Sequence, residues 1–112
     1  ITALVRARFC ELAAEHGFHG DASELFTCGL FSVIDALLDQ PIQDALAGVP
    51  LAQDIRDALV RHTGPMGQLL ECVVALENGS FERAEEILPM SGELYMSALA
   101  WTDKAAAPLF DR

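Results

Sequence analysis

The sequence predicts an all-α fold, a single domain of about seven helices. Three observations carry that expectation. The longest apolar run, Leu25 to Leu38, repeats at helical spacing through Leu25, Phe26, Leu30, Val33, Leu37 and Leu38. Glycines and prolines fall at the joints between shorter amphipathic segments. No segment combines strict alternation with β-branched enrichment, so no strand is expected.

The 25–38 run is apolar nearly all round, because Phe31 and Ile34 extend its surface. Such a helix belongs at the centre of a domain, and this run is too short to cross a bilayer. Gly29 costs a helix about 1 kcal/mol against Ala, so it is expected to admit a closely packed neighbour. Asp35 within this run needs a partner if buried, and Arg6 or Arg8 are the candidates. The alternative is that Asp35 lies on an exposed edge.

The other elements follow in order. Residues 2–16 form the first helix, with Val5, Phe9, Leu12, Ala13 and His16 on one stripe and Gly17 as its C-cap. Asp21, with Glu24 three residues on, resembles a capping box opening the central helix, which is expected to end near Asp39. Pro41 starts a short helix to about Ala47, and Val49-Pro50 forces an extended joint. Leu51, Ile55, Ala58, Leu59 and His62 mark the next helix. Thr63-Gly64-Pro65 breaks it and opens another, through Met66, Leu69, Leu70, Val73 and Val74, ending near Glu77. Ser80 is expected to cap a short acidic helix closed by Pro89. Ser91 is expected to cap the last, which carries Leu94, Ala98, Trp101 and Ala105 and stops at Pro108.

Seven basic against seventeen acidic residues give a net charge of -10. That balance opposes nucleic acid and anionic membrane surfaces as partners. Cys10, Cys28 and Cys72 sit on apolar helical faces and read as buried free thiols of a reducing cytoplasm. The hydrophobic fraction of 52% is high for a free-standing domain, and the chain opens on Ile1 inside helical sequence. Both features suit a piece of a longer protein.

Catalytic constellations do not converge. His16, His19 and His62 lie in separate elements, without metal-ligand spacing, and read as structural. Ser32 sits mid-helix, where its hydroxyl bonds a carbonyl one turn back. Glu82, Glu85 and Glu86 lack calcium-loop spacing and read as a solvated face. No cofactor is expected.

The central segment resembles the HDOD family, a non-catalytic offshoot of the HD metal-dependent phosphohydrolases. In HD enzymes a glycine and two apolar residues precede a His-Asp metal-binding pair; here Gly29-Leu30-Phe31 leads into Ser32-Val33. The resemblance is closer to the HDOD portion of bacterial EAL–HDOD proteins. It rests on Arg6-Ala7-Arg8-Phe9-Cys10-Glu11-Leu12, on Phe26 to Leu38, on Val49-Pro50-Leu51, and on Gly64-Pro65-Met66-Gly67 with Leu69-Leu70. Ile55, Ala58-Leu59, Glu77, Gly79, Tyr95 and Trp101 extend it over roughly residues 4–102. It implies that residues 1–112 are the later part of an HDOD region, with an EAL domain and the first HDOD helices upstream, and that the metal site is lost.

The leading expectation is a non-catalytic regulatory and protein-interaction module linked to cyclic di-GMP signalling. Its partner would be the upstream domain, a second copy of the chain, or another signalling protein, with Phe9, Phe26 and Phe31 as surface candidates. One alternative is a degenerate phosphohydrolase that keeps a small-ligand pocket lined by Arg6, Arg8, Ser32, Asp35 and His62. The other is a purely structural helical domain.

Overall fold

Close approach at a glycine sets the geometry of the first two helices in this computed structural model. The structure describes residues 2–18, 20–34 and 38–110, with side chains through residue 105. α1 spans Thr2–Glu15 and α2 spans Ala22–Phe31. A Cβ at Gly29 of α2 would lie 2.6 Å from the Arg6 carbonyl oxygen and 2.8 Å from the Ala7 Cα of α1. Only glycine lets the two backbones touch, and Ala7, fully buried, is the small residue opposite. The expectation of a close neighbour at Gly29 holds.

Local bonds explain where these helices end. Phe18 N donates to Ala13 O (2.9 Å) and Gly17 N to Ala14 O (3.2 Å). With Gly17 at φ +95°, this is a Schellman termination of α1. Asp21 Oδ1 accepts from Ser23 N at 2.8 Å and caps α2. α2 stops at Phe31, well before Asp39. Ser32 N and Ser32 Oγ both donate to the Gly29 carbonyl, at 3.3 and 2.7 Å, which tightens the last turn and ends the helix. The hydroxyl behaves as expected, but it terminates the helix instead of sitting within it.

Five more helices follow among the described residues: α3 Ile42–Ala45, α4 Gln53–Arg61, α5 Gly64–Glu77, α6 Phe81–Ile87 and α7 Ser91–Phe110. The all-α expectation holds, and none of the described helices is long and apolar enough to cross a membrane. α5 packs against α1, α2, α4, α6 and α7, so it is the hub, in place of the apolar 25–38 run. Its Leu69, Leu70, Cys72, Val73 and Leu76 meet Phe9 and Leu12 of α1, Ile55 and Leu59 of α4, and Leu94 and Ala98 of α7 in one core. Phe9 is fully buried, with its ring edge-on to Tyr95 at 6.3 Å, so it is core and not a surface residue. Cys10, Cys28 and Cys72 are buried free thiols.

Two caps differ from expectation. Ser80 holds the N-cap position of α6 but makes no side-chain capping bond. Ser91 is buried, and the start of α7 is capped by a residue of α6: Glu85 accepts from Met90 N at 2.9 Å, Gly92 N at 3.3 Å and Ser91 Oγ at 3.4 Å. A carboxylate satisfies free amides at a helix N-terminus better than a hydroxyl, because its charge also complements the dipole. α7 also continues past Pro108 to Phe110.

Candidate functional site

Arg6 reaches out of α1 to the C-terminal ends of two other helices. Its Nε and Nη2 donate to Glu77 Oε2 and Oε1, the last residue of α5, at 2.8 and 2.7 Å. Its Nη1 donates to Ser32 Oγ, just past α2, at 3.2 Å. Both ends carry the negative pole of a helix, so a guanidinium is well placed there. The pair is largely shielded, with side-chain exposures of 15% for Arg6 and 20% for Glu77, and its fork geometry is bidentate.

Beside this tie lies a pocket of about 320 Å³. Arg6 and Ser32 line one side; Leu59, Leu70 and Val74 supply apolar wall; His62 and Glu71 complete it. His62 is held there by backbone conformation. It is the left-handed C-cap of α4 (φ 56°), and a Cβ at Gly67 would collide with its carbonyl carbon at 2.4 Å. Glu71 points its Oε1 at Arg83, which donates from Nη2 at 2.7 Å and from Nε at 3.2 Å.

The structure thus brings Arg6, Ser32 and His62 together. It does not bring Arg8, which pairs with Glu11 and lies with its guanidinium carbon 5.4 Å from the centre of the Trp101 ring on α7. Their two-residue spacing, about 200° around the helix, separates the two arginines: Arg6 faces the helix ends, whereas Arg8 faces α7. Asp35 and His19 fall outside the described residues. His16 lies at the end of α1, with Nδ1 2.9 Å from Leu12 O. Glu77, Leu59, Leu70, Glu71 and Val74 are pocket or tie residues that sequence reasoning had not assigned to a site. For Glu77 the available signal was an acidic residue at a helix C-terminus, unfavourable to the dipole without a cation beside it.

Phe26 and Leu30 lie one turn apart on α2, and with Val33 just past the helix they are half-buried, whereas Phe31 and Ile34 pack onto the core. Leu38 beyond them is 50% exposed. Among the described residues no group of three or more His, Cys, Asp or Glu is arranged to hold a metal ion.

The chain is 39% identical over 84 residues to the cyclic di-GMP phosphodiesterase CdgJ of Vibrio cholerae, covering 74% of this chain and 19% of that protein. It is 30% identical over 103 residues to the uncharacterized protein YuxH of Bacillus subtilis, covering 88% of this chain and 25% of that one. The chain therefore spans a fifth to a quarter of the curated relatives it matches. No family model matches it, and no solved structure matches it.

Proposed function

We propose that this chain is a non-catalytic regulatory and protein-interaction module of the HDOD type, carried by a bacterial cyclic di-GMP signalling polypeptide. The observation that carries the reading is an apolar strip, Phe26 and Leu30 on α2 and Val33 just past it, whose side chains are half-buried but outside the core cluster. Hydrophobic side chains aligned along a helix flank and left partly wet suit a docking contact. The similarity to one segment of CdgJ supports a place beside further domains of the same polypeptide, an EAL domain being the partner proposed for this flank.

The chemistry of Ser32 and Val33 supports a non-catalytic role. The Ser32 hydroxyl already donates to Gly29 O and accepts from Arg6, and Val33 offers a metal no donor atom. The polar centre of the domain is an internal arginine–glutamate tie.

The test has two arms. The purified chain with Mn²⁺ or Mg²⁺ and cyclic di-GMP is expected to show no turnover, and turnover would overturn the reading. The native full-length polypeptide with Phe26→Glu and Leu30→Glu is expected to change its cyclic di-GMP hydrolysis rate while keeping its helical content. An unchanged rate with the fold intact would remove the docking assignment.

A further inference from the structure

The pocket between Arg6, His62 and Val74 goes beyond the docking reading and stands without it. Its volume of about 320 Å³ lies at the small end of the range for ligand pockets, suited to one or two rings. Its charges are already paired, Arg6 in a shielded pair and Glu71 in one that is about half exposed. Arg6 is held by Glu77, and Glu71 is held by Arg83. An anionic ligand would have to displace Glu77 from the shielded Arg6 and sit beside Glu71, so a neutral one is favoured.

The groups left for recognition are specific. The His62 side chain, at the exposed rim, has no hydrogen-bond partner among the described residues, so its ring nitrogens are open to a ligand. Both Arg83 bonds to Glu71 fall on Oε1, which leaves Oε2 able to accept. Leu59, Leu70 and Val74 give a flat group apolar contact.

We propose that this pocket binds a small neutral heteroaromatic ring carrying an N–H, seated against Leu59, Leu70 and Val74 with its polar edge toward His62 and Glu71. Indole and adenine are the probes, and benzoate is the charged control. In amide NMR titrations of the chain, both probes are expected to shift Ser32, His62, Leu70 and Val74, and benzoate to shift them far less. Val74→Phe fills the pocket from a site that is 36% exposed, so the fold tolerates it and binding weakens at least about tenfold. His62→Asn keeps a residue that accepts the left-handed backbone but removes the imidazole, with a loss of about tenfold. No shift with either probe, shifts confined elsewhere, affinity unchanged in both variants, or equal binding of benzoate would each overturn the proposal.

Discussion

Arg6 and Glu77, 71 residues apart in sequence, are joined by two parallel charge-assisted hydrogen bonds of 2.8 and 2.7 Å. Through them the first helix holds the end of the hub helix, while the third bond to Ser32 holds the end of α2. Truncation at either end of this shielded pair leaves the other charge poorly solvated. Arg6→Ala is expected to destabilise the chain by about 2–3 kcal/mol in urea unfolding. Glu77→Gln, which still accepts from the guanidinium, should cost clearly less. A double-mutant cycle giving no coupling between the two positions would show that the pair is incidental.

Gly29→Ala tests the α1–α2 crossing. The new methyl would sit 2.6 Å from a backbone oxygen, where no flexible side chain can give way. The expected loss is about 2–3 kcal/mol, against the usual small gain from replacing a helical glycine with alanine. A stabilised Gly29→Ala protein would mean that the helices do not approach this closely.

The fold was legible because local signals agreed with it: Gly17 ends α1, Asp21 opens α2 and Pro65 opens α5 as their residue types suggest. The centre of the fold was misplaced for a physical reason. Hydrophobicity reports that a side chain avoids water but not which neighbour covers it, so the 25–38 run drew attention that belonged to α5. The same blindness made Phe9 and Phe26 look alike, although one is core and the other only half-buried. In the pocket, Ser32 and His62 stood out in the sequence as polar residues on apolar stripes, and Arg6 as a candidate partner for Asp35. Leu59, Leu70 and Val74 were indistinguishable from core until α4 and α5 were placed.

The cap on α7 was not legible, because Glu85 serves a helix that starts six residues later, from its own place in α6. Glu85→Ala is expected to cost about 1–2 kcal/mol, since it frees the amides of Met90 and Gly92 and leaves the buried Ser91 hydroxyl without its carboxylate. Ser80→Ala should change stability by less than about 0.5 kcal/mol, because that hydroxyl makes no capping bond. Urea midpoints of the two variants decide the matter. The reverse ranking would return the capping role to the serines.

The three thiols give a pH prediction. Burial is the main force raising the Cys10 thiol well above its ordinary value, with neighbouring Cys28 and Cys72 adding to it. Burial also pushes Cys28 from 9.0 up to about 12, assisted by Asp54, and raises Cys72. In the unfolded chain these thiols lose their protons near pH 9, whereas the folded protein retains them. Between those values the native state binds more protons than the unfolded one, so stability falls as pH rises. The thiol contribution is therefore fully present below pH about 9 and is lost as pH climbs toward 12. Urea midpoints measured from pH 8 upward should decline, and Cys28→Ala should flatten the decline relative to the parent protein. Thiol-reactive reagent at pH 8 should label the cysteines only at the rate of unfolding. Rapid stoichiometric labelling of the native protein would show instead that the core opens readily around them.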